Sequence, residues 1–203
     1  TFFFFFLIGN LSRYLVSIMM NEEGFMASRF IQCFLRNIGA YLKKKGESDV
    51  SAMKYTVKTL KEGYPVLIFP EGQTTWDGQT QPIYGGIESI IKRAKVPLVM
   101  MSVAGNFISK PWWAESFRQG KVIVERKVIS PEEIAQKSKE SLRDEIINFI
   151  SNNDLRNPEL QETQFEGPVA ARGINRFMWM CPSCDVEDRI EATDSAVKCS
   201  ACG

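Results

Sequence analysis

Two cysteine pairs and one proline-glutamate-glycine corner hold most of the chemistry within reach of this sequence. CPSC sets Cys181 and Cys184 two residues apart, and CSAC repeats that spacing at Cys199 and Cys202 after 14 intervening residues. Thiolates so spaced share one metal ion while the tight turn aims backbone N–H groups at the sulfurs, and two such knuckles complete a tetrahedral site. The spacing therefore predicts a structural zinc held by Cys181, Cys184, Cys199 and Cys202. Two disulfides are the competing arrangement. They are disfavoured because no secretory signal accompanies them and because the fifth cysteine, Cys33, sits on an apolar helical stretch. Four sulfur ligands leave no coordination position open for substrate, so the ion is expected to staple residues 177–203, whose apolar content is too low to fold unaided.

The second feature is FPEGQTTWDG at residues 69–78, directly after the apolar run PVLIF. In parallel α/β sheets ligands bind beyond the carboxyl ends of the strands. Gly72 lets backbone approach a ligand there, and the hydroxyls of Thr74 and Thr75 suit a phosphate or glycerol oxygen. Read alone, the same residues also make an ordinary turn, with Pro70 fixing φ and Gly72 supplying a positive one. A third observation is an absence. The chain has no histidine among its 203 residues, so no imidazole base, Ser-His-Asp triad or histidine-ligated metal can operate in it.

Charge narrows the partners. Lys and Arg number 25 against 24 Asp and Glu, a balance of +1 that argues against a chain living on nucleic acid through bulk electrostatics. The total conceals a gradient. Residues 1–46 stand at +4 and residues 151–203 at −4, so the early end is the one suited to phosphate or an anionic membrane. In the cysteine-rich tail, Asp185, Glu187, Asp188, Glu191 and Asp194 outnumber Arg189 and Lys198, which repels a phosphate backbone, so no nucleic acid is expected there and a zinc-ribbon protein-interaction module or plain stapling is preferred.

The elements that must position these groups follow from periodicity. Residues 2–8 form an apolar run too short for a bilayer span, which needs ~20 residues, and are expected to be a buried strand. Residues 12–20 and 24–42 read as helical, the second through Phe30, Phe34, Leu35 and Ile38. Asp49 and Ser51 offer N-caps to a helix striped by Met53, Val57 and Leu60. Strands are expected at residues 65–69, 96–103 and 121–128, and helices at 86–95 and from Pro131, where Ser130 and Glu133 spell a capping box. Short strands apolar on both faces, alternating with helices, predict an α/β domain with a largely parallel sheet flanked by helices. From about residue 152 periodicity gives way to a polar stretch with Pro158, Gly167 and Pro168. The expected organisation is a domain at 1–152, a linker at 153–176 and a zinc ribbon at 177–203, with flanking sequence expected before Thr1 and a further ribbon strand beyond Gly203.

The FPEG block resembles the FPEG-(T/Q)-x-(S/T) motif of the glycerophospholipid acyltransferases, the lysophosphatidate acyltransferase family. Upstream, Gly39-Ala40-Tyr41-Leu42-Lys43-Lys44-Lys45 is similar to that family's G-A-I-x-x-x-R block, and downstream Val96-Pro97-Leu98-Val99 is similar to its V-P-I-V strand. The resemblance covers roughly residues 9–128. It implies transfer of a fatty acyl group from acyl carrier protein or coenzyme A to the free hydroxyl of a lysophospholipid, with no metal at the reacting centre and a peripheral position on the inner face of the cell membrane. The family's N-H-x-S-x-x-D block falls on residues 9–15, where Ser12 fits, Asn10 replaces the histidine base and Leu15 replaces the aspartate that orients it. The resemblance assigns acceptor binding to Ser12, Lys45, Glu71, Gly72, Thr74 and Thr75. Lys45 keeps the charge of the family's phosphate-gripping arginine without its bidentate fork, and Thr74 stands where an arginine often follows the glycine. Three accounts fit the replaced pair: decay to a lipid-binding protein, an active enzyme with another base, or an altered start of the chain. Outside these blocks, Trp112 and Trp113 beside Lys110 and Arg118 suit a membrane interface.

Overall fold

A computed structural model describes residues 16–21, 39–43 and 50–203. The run at 2–8, Cys33, Asp49 and the candidate residues Asn10, Ser12, Leu15 and Lys45 lie outside the described residues. Three strands form a parallel sheet in the order β2-β1-β3: β1 is Ser17–Asn21, β2 is Ala40–Lys43 and β3 is the short Val66–Leu67. Ile18 pairs with Ala40 on one side and with Leu67 on the other, and both Ile18 and Ala40 are buried. The helical readings of residues 17–20 and 40–42 are thus corrected to strand. Ser-Ile-Met-Met and Ala-Tyr-Leu are short apolar runs without a polar face, and in such runs pairing with neighbouring strands outweighs local helical preference.

The helix α1, Val50–Lys61, carries Ser51 inside its first turn rather than before it. Its buried face is Ala52, Thr56 and Thr59, one position off the expected stripe of Met53, Val57 and Leu60, which is half-buried. Threonine can lie fully buried at 56 because its Oγ1 donates to the Ala52 carbonyl at 2.7 Å and meets the Tyr41 hydroxyl at 2.6 Å. Burial outweighs that hydrogen bond and pushes the Tyr41 phenol up to about 12.

Next come α2, Ile87–Ala94, with Ile90, Ile91 and Ala94 buried as its spacing predicts, and β4, Leu98–Ala104. A short α3, Asn106–Ser109, precedes β5, Ile123–Ile129, which pairs with β4 in a two-stranded sheet. Beyond it the single helix expected from the sequence is two, α4 at Pro131–Gln136 and α5 at Lys139–Ile150. Lys137 is extended between them, and Ser138 Oγ accepts the Ser141 N–H at 3.0 Å to start the second. The capping box is present: Ser130 Oγ accepts the Glu133 N–H at 3.2 Å, and Glu133 accepts the Ser130 N–H at 2.8 Å. Ser130→Ala is expected to cost about 1 kcal/mol, read as a lower urea midpoint at unchanged slope.

The described residues of Thr1–Thr74, with Gln81–Met100 and Arg126–Phe149, form one compact unit; Thr75–Thr80, Met101–Glu125 and Ile150–Gly203 form another. In the second, Asp154 is 3% exposed and anchors a polar knot. Its carboxylate accepts the Phe107 N–H at 2.8 Å and the Asn152 amide at 2.5 Å, while its own N–H donates to the Gly78 carbonyl at 2.9 Å. Thr80 and Asn152 exchange further hydrogen bonds of 2.8 and 2.9 Å, so residues 152–154 clasp the loop at 75–80. The polar segment after residue 152 is tied down by hydrogen bonds at several points. It includes α6, Pro158–Gln161, capped by Asn157, a paired Gln119 and Glu166, and a 3₁₀ turn at Ile174–Arg176. The chain closes with an antiparallel hairpin of β6, Ile190–Ala192, and β7, Val197–Cys199.

Candidate functional site

All three strands of the first sheet run the same way, so β3 delivers residues 69–72 beyond its carboxyl end, on the side of the sheet where β2 delivers Lys43. Gly72 donates its N–H to the Phe69 carbonyl at 3.1 Å with φ at +67°, a conformation that an L side chain would strain. The corner is tied at a second point. Glu71 Oε2 accepts the Gln81 N–H at 2.7 Å, and Gln73 Nε2 donates to Gln81 Oε1 at 3.3 Å. Burial raises the Glu71 carboxyl above its ordinary value, more than the Gln81 hydrogen bond lowers it. Thr74 is exposed. Thr75 donates its hydroxyl proton locally, to the Gln79 carbonyl at 2.7 Å, while Asp77 accepts the Gln79 N–H at 3.1 Å. The Thr75 hydroxyl is thus engaged within its own loop, whereas Thr74 is exposed.

Because the folded protein holds the Glu71 proton more tightly than the unfolded chain, that contribution to stability is full at acid pH. It is lost as pH rises through the ordinary carboxylate value to the raised one. Glu71→Gln keeps an acceptor for Gln81 and is expected to flatten this slope above the ordinary carboxylate value. Glu71→Ala removes the acceptor and is expected to cost about 1–2 kcal/mol in urea unfolding at every pH tested.

The four tail cysteines converge as their spacing predicts, with all four sulfurs within 4.8 Å of one another. Cys181 Sγ lies 3.8 Å from Cys202 Sγ, and Cys184 Sγ lies 3.8 Å from Cys199 Sγ. The cysteines are free, which removes the disulfide alternative for this geometry. A regular tetrahedron of sulfurs around zinc, with arms of about 2.3 Å, has edges of about 3.8 Å, so the donor set fits a four-thiolate metal ion. Backbone amides complete the knuckles: the Ser183 N–H points at Cys181 Sγ and the Ala201 N–H at Cys199 Sγ, both at 3.4 Å. Those donors, from Ser183 and then Cys184, bring the Cys181 thiol down to about 6, whereas the neighbouring thiols, Cys184 foremost, push Cys202 up to about 12. All four sulfurs could ionise at this spacing only with a cation among them.

A third cluster was not legible in the sequence. Trp76 and Trp112, 36 positions apart, stack with ring centroids 4.0 Å apart and planes 21° apart, and Phe177 meets Trp112 edge-on at 6.5 Å. Trp113, the expected partner of Trp112 at an interface, is instead buried, with the Arg118 guanidinium 4.7 Å above its ring. Trp112 and Trp113 are the two central residues of a turn closed by the Ala114 N–H to the Pro111 carbonyl at 3.0 Å, and across it one indole goes to the core and the other to the surface.

A parallel sheet flanked by helices, with a tied PEG corner beyond one strand, defines an α/β acyltransferase fold. The acyltransferase family model matches residues 2–104, just over half of the chain, and the protein belongs to that family. A 1-acyl-sn-glycerol-3-phosphate acyltransferase of Bacillus subtilis (strain 168) is 32% identical over 109 residues, which are 54% of this chain and 51% of that relative. Among solved structures, the 1-acyl-sn-glycerophosphate (LPA) acyltransferase PlsC from Thermotoga maritima shares the fold with a TM-score of 0.54 at 19% identity. The likeness covers 75% of this chain and 59% of that one. The chain thus spans about half the length of the curated relative it matches. The cysteine cluster lies outside the matched residues 2–104.

Proposed function

We propose that this chain is a lysophosphatidate-type acyltransferase domain with a weakened catalytic pair and a structural zinc ribbon. Residues 1–152 form the acyltransferase part, 153–176 the connection and 177–203 the ribbon. The observation that carries this reading is the Glu71–Gly72 corner at the carboxyl end of a parallel strand, tied to Gln81 and followed by an exposed Thr74. In the proposed reaction the free hydroxyl of the lysophospholipid attacks the carbonyl carbon of an acyl thioester, carried by acyl carrier protein or coenzyme A. The new C–O bond forms, the C–S bond breaks, and the hydroxyl proton, relayed through water because Asn10 offers no base, ends on the departing sulfur so that the carrier leaves as its thiol.

Lys45 supplies positive charge to the acceptor phosphate, and Ser12, Thr74 and Thr75 supply hydroxyls. Glu71 and Gly72 hold the corner in shape. Asn10 and Leu15 occupy the positions of base and orienting acid, and neither can take the proton at neutral pH. A metal bound by Cys181, Cys184, Cys199 and Cys202 would cross-link the two knuckles and play no part in acyl transfer. No helix among the described residues is long and apolar enough to cross a membrane; the proposed association with the inner face of the cell membrane is peripheral.

A labelled acyl donor of each kind, incubated with lysophosphatidate and the full chain, tests the reading. Slow but enzyme-dependent product with saturable acceptor binding is expected. Absence of both product and acceptor binding overturns it. A second reading, a lipid-binding domain without turnover, is favoured by the absence of any histidine, and the same assay distinguishes it as binding without product.

A further inference from the structure

Trp76 and Trp112 form an exposed indole stack that no sequence motif announces. Their side chains belong to residues 61% and 41% exposed, and Phe117, from the same segment as Trp112, is 68% exposed. These are the most costly apolar groups to leave in water, and their arrangement is fixed rather than frayed. The Trp112 indole N–H donates to the Trp76 carbonyl at 3.1 Å, and the loop bearing Trp76 is clasped by Asn152 and Asp154. A rigid, solvent-facing pair of indoles loses little side-chain freedom when something covers it.

The surrounding charge selects the occupant. The Lys110 ammonium stands 5.7 Å over the Phe117 ring. Arg172 and Arg176 share one carboxylate, Glu115, at 3.4 and 3.8 Å, and Arg172 also pairs with Asp194 at 2.5 Å. Those four charges pair off among themselves, so the cations held against aromatic rings are Lys110 over the exposed Phe117 and Arg118 turned inward over Trp113, with Asp77 next in sequence to Trp76. Amphipathic indoles with flanking Lys and Arg match the headgroup layer of an anionic bilayer, where the ring lies at the boundary of acyl chains and the cation meets lipid phosphate.

We infer that the Trp76–Trp112 stack, with Phe117 and Lys110, is the surface by which this protein rests on an anionic lipid bilayer. The choice of partner rests on the lipid-substrate reading above, but its test requires no turnover.

The full chain is spun with vesicles of phosphatidylcholine, with or without phosphatidylglycerol, at low salt. Wild type is expected to co-sediment with the anionic vesicles, and Trp76→Ser with Trp112→Ser to weaken partition by about 10- to 100-fold, as removal of two large apolar groups requires. Because the double variant alters an internal hydrogen bond, wild-type tryptophan emission is also measured against lipids brominated on their upper acyl carbons; quenching with a blue shift is expected, and Trp76→Phe should remove part of it. The inference is overturned by wild type staying in the supernatant, by the double variant binding as wild type does, or by unquenched emission. It is equally overturned by sedimentation velocity showing that the stack joins two copies of the chain instead. Vesicle binding without acyl transfer would leave this surface standing and refute only the catalytic reading; transfer to a monomeric short-chain acceptor without vesicle binding would do the reverse.

Discussion

Asn10→His combined with Leu15→Asp is expected to raise acyl transfer by about 10²- to 10⁴-fold over the chain as it stands, the range that a positioned general base contributes. Each single variant should gain little. A histidine without its carboxylate partner lacks a fixed tautomer and a stabilised imidazolium, and an aspartate beside asparagine has nothing to orient. The pair should therefore be strongly non-additive, and a double-mutant cycle on kcat/KM measures the coupling. The acceptor KM should move far less than kcat, because the hydroxyls and the Lys45 charge are untouched. Equal turnover by wild type and double variant would refute the assignment of these two positions.

The second large effect belongs to the cysteines. Purified full chain is expected to carry about one zinc per chain, and chelation should unfold the β6–β7 hairpin, since the apparent binding free energy of structural zinc in small domains is about 10–16 kcal/mol and is itself folding free energy. Cys181→Ser should abolish stoichiometric zinc, measured by atomic emission after dialysis, and make the tail a target for limited proteolysis. Cys33→Ser, outside the cluster, should leave the stoichiometry unchanged. Stoichiometric zinc retained after loss of Cys181, or denatured and chelated protein with no titratable thiols in the tail, would overturn the site.

What could be read from the sequence was local. Ser130, Pro131 and Glu133 announce a capping box because every partner lies within three residues, and the cysteine spacing announces a cluster because each knuckle is a turn. Ile87–Ala94 shows its buried stripe for the same reason. The strands β1 and β2 did not show themselves. Parallel pairing joins Ile18 to Ala40 and Leu67 across long stretches of chain, and no spacing within Ser-Ile-Met-Met records it. The buried threonine at 56 was equally hidden, since its satisfaction depends on Tyr41 from another strand. At the candidate site the Glu71–Gly72 corner was legible as a motif, but its tie to Gln81 and the local engagement of the Thr75 hydroxyl were not. The stack of Trp76 on Trp112 is the extreme case, because nothing in either neighbourhood names the other.

The clasp of residues 152–154 on the loop at 75–80 also sets an order of events on the ribosome. The loop emerges early, yet Thr80, Gly78 and their backbone partners wait until Asn152 and Asp154 have been translated and have cleared the exit tunnel. At ~5–20 residues per second this leaves several seconds in which a nascent chain exposes Trp76 without its final support, a window in which chaperone capture competes with completion of the fold.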